Sequence, residues 1–307
     1  MDKKIIDQFQ HATTFEAKNR WVKMLNKPVQ FVHAFTCNKL SKAQKVKATT
    51  FWGGNMEVVI PEVVSSEIYK HGYFDKEVCY YLLRVLAPGD VFVDIGAHFG
   101  FFSLMANNLV KDSGTVVSID PTPSTFQLLS SNLNKFAPFK NFKLFNNAAF
   151  EREEELNFYD FGVKKSAFNS LFGSRLEKMD EEELRRHQIR VKALPVDNVI
   201  ADLGLSKITL IKIDAESAEM NVLKGLEKTI LEFKPMMILE IGDTDVADAV
   251  ATRTIIDFLI RFNYVPVELN EQENLQIHEI RNNYSLDQLT CYNLLFVHKD
   301  KVARLLS

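Results

Sequence analysis

Apolar positions change their period along this chain, and the change divides it. Ile5, Ile6 and Phe9, then Trp21, Val22 and Leu25, recur near 3.6-residue spacing, which predicts a helix over 1–26 that Pro28 stops. Gln30–Ala34 and Glu57–Ile60 read as short strands, with Trp52-Gly53-Gly54-Asn55 as a turn between them. Val78, Tyr81, Leu82 and Val85 predict an amphipathic helix over 75–86, ended by Pro88-Gly89. From residue 91 strands and helices alternate. Val91–Ile95, Thr115–Ile119, Phe142–Phe145, Ile208–Ile213 and Met236–Ile241 are largely apolar runs, as strands buried on both faces require. Helices are expected over 99–110, 123–135, 217–232 and 246–262. Val265–Leu269 and Asn293–His298 complete seven strands. With no long helix between them, these two suit an antiparallel hairpin at the sheet edge. Glu155–Phe161 alternates as an edge or hairpin strand. Residues 162–190 are polar, with a charged helix near 180–188 capped by Asp180.

This order predicts an α/β fold: a doubly wound, mostly parallel seven-stranded sheet. It would span residues 72–307, with an insert at about 150–195, after an N-terminal α+β extension over 1–71. Composition is that of a globular protein, 46% hydrophobic and 25% charged. Charge is less even. Residues 1–50 hold ten Lys/Arg and three acids, seven net positive charges, in a chain whose total is −3. A basic arm on an acidic body fits contact with an anionic surface or another subunit, or packing of a solvated basic face on the chain's own acidic domain. Cys37, Cys79 and Cys291 lie far apart with no CxxC pair, which points to buried thiols in a reducing compartment. No signal-like run and no stretch of about 20 apolar residues exists. The expectation is a soluble, cytoplasmic protein with no transmembrane segment.

Ligands of open α/β sheets bind at the carboxyl ends of the strands. The first strand ends Val93-Asp94-Ile95-Gly96-Ala97-His98-Phe99-Gly100. A dinucleotide fingerprint needs glycine where His98 stands, and a P-loop needs Gly-Lys-Ser/Thr. The turn therefore suits a nucleoside without phosphates, such as S-adenosylmethionine, and argues against an NAD-linked reductase. Asp120, at the end of the second strand, can accept both ribose hydroxyls or serve as a helix cap. The fourth buried strand gives Lys212-Ile213-Asp214-Ala215-Glu216-Ser217-Ala218-Glu219, three carboxylates within six residues, and the fifth ends Glu240-Ile241-Gly242-Asp243. Asp214 is expected to face the cleft, whereas Glu219 also reads as a favourable charge at a helix N-terminus.

The run Asp94–Gly100, the Asp120-Pro121 pair, Asn169-Ser170-Leu171, and Lys212–Glu219 followed by Val222-Leu223-Lys224-Gly225 resemble the FkbM-type methyltransferases, a branch of the class I Rossmann-like methyltransferases. The resemblance covers roughly residues 72–241. The family pattern has Val and Gly where this chain has Ala215 and Ser217, often Asn at His98, and Glu at Asp120. The resemblance implies S-adenosylmethionine as cofactor. Asp94, Gly96, His98 and Gly100 would shape its methionine end, Asp120 would bind the ribose, Asn147 and Ala148 would line the adenine, and Asp214 would close the site. It also implies O-methylation of a small-molecule hydroxyl on a sugar or natural product.

An alcohol acceptor must lose a proton, and the candidate bases are Asp214, Glu216 and His98, the last with an unperturbed pKa of about 6.5. A divalent ion is a second possibility for Asp214. Asp214, Glu240 and Asp243 would be its hard oxygen ligands for Mg²⁺ or Mn²⁺. Phe158, Tyr159, Phe161, Phe168 and Phe172 either line the acceptor pocket or pack the insert. Two other readings share the fold: an RNA or protein methyltransferase, and a non-catalytic scaffold that binds S-adenosylmethionine. Amino-group methylation often uses an Asn/Asp-Pro-Pro-aromatic tetrad where this chain has Asp214-Ala215-Glu216-Ser217, and the acidic body makes nucleic acid a poor partner.

Overall fold

A computed structural model of the chain describes residues 3–40, 42–171, 181–240, 250–270, 276–279 and 293–303. The N-terminal part holds α1 (Lys3–Glu16), α2 (Arg20–Asn26), α3 (Pro28–Lys39), the hairpin β1 (Gln44–Thr49) and β2 (Asn55–Ile60), and α4 (Val63–His71). The expected first helix is thus two, broken before Asn19, whose side chain caps α2 by accepting Trp21 N–H at 3.0 Å. The strand expected at Gln30–Ala34 lies within α3. Pro28 begins that helix instead of ending the one before. At the first helical position its missing N–H has no intrahelical partner to lose, and its φ is already helical.

Next come α5 (Lys76–Val85), β3 (Val91–Ile95), α6 (Phe101–Val110), β4 (Thr115–Ile119), α7 (Pro123–Phe136) and β5 (Phe142–Phe145). The insert contributes β6 (Ala148–Ala149), β7 (Glu154–Tyr159), α8 (Glu181–His187) and β8 (Gln188–Leu194), and these strands form a separate three-stranded sheet with β8 central. Asp180, the expected cap of α8, lies outside the described residues. The chain continues with α9 (Val196–Asp202), β9 (Leu210–Ile213), α10 (Glu219–Lys224), α11 (Glu227–Phe233), β10 (Met236–Glu240), α12 (Thr252–Arg261), β11 (Tyr264–Asn270), β12 (Gln276–Glu279) and β13 (Asn293–His298). The helix expected over 217–232 is divided at Gly225-Leu226 into α10 and α11.

The main sheet runs β12-β11-β13-β10-β9-β3-β4-β5. From β10 to β5 every pairing is parallel, and β13 is antiparallel to both of its neighbours. Seven of these strands are the expected ones, and β12 adds an eighth at the edge. The last two expected strands do pair antiparallel, but not as an edge hairpin: β13 enters between β10 and β11. All six of its residues are buried, which fits an interior position.

Alternation along the strands divides the core between the two faces. Phe92 points to the side of α5, α6 and α7, while Val91, Val93 and Ile95 point to the side of α9 to α12. The first of these cores also takes Ile5, Phe9 and Ala12 of α1 and Met56 and Val58 of β2. The Asn132 side chain of α7 bonds both the N–H and the C=O of Glu57 on β2, at 2.8 and 2.9 Å, and Phe99 C=O at 2.8 Å. One buried amide thereby ties the N-terminal hairpin to the turn that follows β3.

Candidate active site

A cavity of about 330 Å³ opens at the carboxyl ends of β3, β4, β9 and β10. Its floor is the turn Gly96–His98. Val63, Val64 and Ile68 of α4 form part of an apolar wall. Gly96 has φ +75, and a Cβ there would stand 1.8 Å from Asp214 C=O. Only glycine lets the turn approach β9 this closely. Gly96 and Ala97 both donate to Ile119 C=O, at 2.9 and 3.1 Å, which ties the turn to β4. Gly100 does not line the cavity. It starts α6 at φ +86 and leaves room for Leu129 and Leu133 of α7.

Asp120 holds the turn from the other side. One carboxylate oxygen accepts His98 N–H at 2.9 Å, and the other accepts Thr122 N–H at 3.1 Å and the Thr125 hydroxyl. It lines the cavity and, as the alternative reading foresaw, also secures the start of α7. Burial pushes its carboxyl up to about 7. Asp94 is fully buried beneath the turn, outside the cavity lining. One of its oxygens accepts the Ser103 hydroxyl at 2.5 Å; the other has no partner among the described residues. Burial raises its pKa.

His98 takes a left-handed conformation, φ 51. Its ring lies on Phe99, with centroids 3.7 Å apart, and Nε2 meets Ser166 Oγ at 2.7 Å. Burial lowers its pKa to about 4, well below the unperturbed value that recommended it as a base. Asn147 and Ala148 line the cavity beside β4 and β5. Phe158 lines it as well, while Phe161 packs on His187 with centroids 4.4 Å apart. Phe172 and the Phe168 side chain lie outside the described residues.

The densest charge sits at the ends of β9 and β10. The buried Lys212 ammonium meets Asp214 Oδ2 at 2.8 Å and lies 5.3 Å from the centre of the Phe102 ring. Burial pulls the lysine down, but Asp214 and Asp94 outweigh it and hold its pKa above the ordinary value. Burial pushes Asp214 up, and Lys212 with a Glu240 hydrogen bond outweighs that, so Asp214 is held low. The Asp214 charge, then burial, drives Glu240 up to about 9. At neutral pH the cluster is an ammonium, a carboxylate and a protonated carboxyl that donates to it.

Glu216 lines the cavity, at φ 52 in a turn whose next residue, Ser217, has φ 81. Glu219 faces back into that turn and accepts Ala215 and Ser217 N–H at 3.0 and 3.3 Å. The helix-terminus reading of Glu219 fits this geometry. Of the three expected metal ligands, Asp214 and Glu240 meet, and Asp243 lies outside the described residues. Lys212 already holds Asp214 Oδ2 where a cation would bind. Among the described residues, the one convergent group of three potential ligands is Glu16, Glu67 and His71, away from this cavity.

Sequence reasoning passed over Lys212 as a site residue, although a lysine inside an otherwise apolar strand was a visible signal. It also passed over Asp75, which lines the cavity, accepts Asn293 Nδ2 at 2.7 Å and caps α5. No pattern distinguished Asp75 from an ordinary helix cap.

A mostly parallel sheet of order β5-β4-β3-β9-β10-β13-β11, with β13 antiparallel, a glycine turn after β3 and an acid after β4, is the class I Rossmann-like fold of S-adenosylmethionine-dependent methyltransferases. A family model, the methyltransferase FkbM domain, matches residues 94–266, more than half of the chain, and the chain belongs to that family. The AMB antimetabolite synthetase AmbE of Pseudomonas aeruginosa is 27% identical over 234 residues, which are 68% of this chain and 10% of that one. The 31-O-demethyl-FK506 methyltransferase FkbM of Streptomyces tacrolimicus is 27% identical over 199 residues, 58% of this chain and 75% of that one. A crystal structure of methyltransferase FkbM from Methylobacillus flagellatus KT aligns with 75% of this chain and 52% of its own, at 17% identity and a TM-score of 0.40.

Proposed function

We propose that the protein transfers a methyl group from S-adenosylmethionine to a hydroxyl of a small molecule, a sugar or another natural product. The observation that carries this reading is that Asp214, paired with Lys212 and Glu240, faces the same cavity as the Gly96–His98 turn. The cavity suits the cofactor. Gly96 lets the floor of the cavity lie directly against Asp214, and Asn169, which lines the cavity, has a buried Nδ2 with no partner among the described residues. In this reading Gly96, Ala97 and His98 hold the amino acid end, Asp120 takes the ribose, and Asn147 and Ala148 border the adenine. The name of the Streptomyces relative, a methyltransferase of 31-O-demethyl-FK506, supports an oxygen acceptor on a natural product.

The bound cofactor supplies an electrophilic methyl on a sulfonium. The chain's own groups align the acceptor and remove its proton. Asp214, ionised at neutral pH, accepts the acceptor O–H. A carboxylate held at low pKa is a weak base, but it suffices. The hydroxyl proton becomes strongly acidic as the oxygen forms its new bond to carbon, so it passes to Asp214 late in the step. His98, neutral above about pH 4, orients the turn through Ser166 and takes no proton.

Titration calorimetry with S-adenosylmethionine and S-adenosylhomocysteine tests the cofactor, with NAD and ATP as controls. Binding of the two sulfur nucleosides alone is expected. A panel of sugar and polyketide alcohols, read by mass spectrometry, then tests the acceptor. Methylation confined to amines or nucleic acid would refute the oxygen assignment.

A further inference from the structure

The outer face of α2 and α3 is apolar. Trp21 is 72% exposed, Leu25 81%, Val29 70% and Phe35 60%, and Val32 and Leu40 are exposed as well. Single exposed apolar residues are ordinary, but these fall within twenty positions on two helices in contact and the residue just after them, where a monomer rarely leaves such a patch. On α3 the steps Val29, Val32 and Phe35 face away from the buried Ala34 and Cys37. The charge pattern is as one-sided. From Ala17 to Met56 the chain has eight Lys/Arg and no Asp or Glu. Lys23 and Lys27 bond the backbone carbonyls of Glu16 and Lys70, while Lys18, Lys39, Lys42 and Lys45 are exposed.

We propose that the α2–α3 hairpin docks the protein on an anionic lipid bilayer, with Trp21, Leu25, Val29 and Phe35 in the headgroup region and the lysines on lipid phosphates. Exposed apolar side chains bordered by lysines, with a tryptophan among them, suit an element lying in the membrane plane. No helix among the described residues is long and apolar enough to cross a membrane, so the contact is with the surface. A second copy of this chain fits less well. A two-fold contact sets the same patch against itself, and the exposed lysines of one copy would then meet those of the other. The hairpin also touches the active site's scaffold. α3 contacts α4, whose Val63, Val64 and Ile68 line the cavity.

The test is flotation of the full chain with vesicles of phosphatidylcholine alone and of phosphatidylcholine mixed with phosphatidylglycerol. Partition only to the anionic vesicles, weakened by salt, is expected. In a Trp52→Phe background, Trp21 emission should shift to the blue on binding. Leu25→Ser with Phe35→Ser should abolish partition. Lys18→Glu with Lys39→Glu and Lys42→Glu should weaken it by about a hundredfold or more. Both variants alter exposed side chains, so circular dichroism and melting temperature should stay as in the parent. Absence of partition, or equal partition by both variants, overturns the proposal. So does a dimer without vesicle binding that Leu25→Ser with Phe35→Ser turns into a monomer, which would assign the face to a second copy.

Discussion

Replacing Lys212 by methionine keeps the stem over Phe102 and removes the charge from a cluster of three carboxyl groups. The ammonium lies 2.8 Å from Asp214 Oδ2, a gross attraction of about 6 kcal/mol at an effective dielectric of 20. The buried lysine's own desolvation offsets part of that. The variant, however, leaves Asp214 and Asp94 without their cation, and breaking a buried pair from one side costs about 3–5 kcal/mol. A fall in Tm of about 5–8 °C follows for a chain of this size. The pH dependence is the sharper test. In the parent, Asp214 is held below its ordinary value of 3.8, so its stabilisation is complete above that pH and is lost only as pH falls through the lower, folded value. Without Lys212, burial dominates and the folded pKa of Asp214 rises above the unfolded one. The variant then gains stability as pH falls, because the folded state takes up the proton more readily. Urea unfolding should therefore show a deficit that is largest at about pH 7.5 and smaller at about pH 5. A deficit independent of pH, or one that grows on acidification, would refute the ion-pair account of this cluster.

Asp214→Asn should lower kcat by about 10²- to 10⁴-fold while cofactor affinity, read by calorimetry, is retained; unaltered turnover would remove Asp214 from catalysis. Glu240, with its carboxyl pushed up to about 9, gives the parent stability that is lost as pH rises from its unfolded value through 9. Glu240→Gln, permanently neutral, should melt progressively higher than the parent across that window, and parallel pH curves would exclude the raised pKa. Asp120→Ala frees His98 N–H and Thr122 N–H and should weaken S-adenosylmethionine binding by roughly 1–3 kcal/mol; unchanged affinity would end its role at the ribose. Turnover should survive chelators, because Lys212 already holds Asp214 Oδ2, and activity lost to a chelator but restored by Mg²⁺ or Mn²⁺ would overturn this.

The central strands were legible because burial on both faces writes them as short apolar runs, and β3, β4, β5 and β13 begin where those runs predict. The failures have local physical causes. Val29–Phe35 mixes β-branched and aromatic residues, which favour strands, but Pro28 at the helix start and the packing of Ala34 and Cys37 decide for α3. β8 went unnoticed because only Val191 and Ala193 of its seven residues are buried. The inserted position of β13 depends on pairing between distant segments, which no local period records.

The site was legible by position but not by role. Asp94, Asp120, Asp214, Glu216 and Glu219 all lie at or just beyond the carboxyl ends of buried strands, and the sequence alone does not show their depth or partners. Depth and partners separate them. Asp94 is sealed under the turn with Ser103, and Asp120 braces the turn and α7 from the edge of the cavity. Glu219 turns back to cap its own loop. Asp214 is the carboxylate that is both kept ionised by a buried cation and open to the cavity. A carboxylate buried without a cation at hydrogen-bond distance is pushed up, as the raised pKa values of Asp94 and Asp120 show. Acceptor deprotonation needs an ionised oxygen facing the cavity at neutral pH. In the proposed reaction Lys212 carries no chemistry of its own, and its part is to keep Asp214 ionised at the cavity.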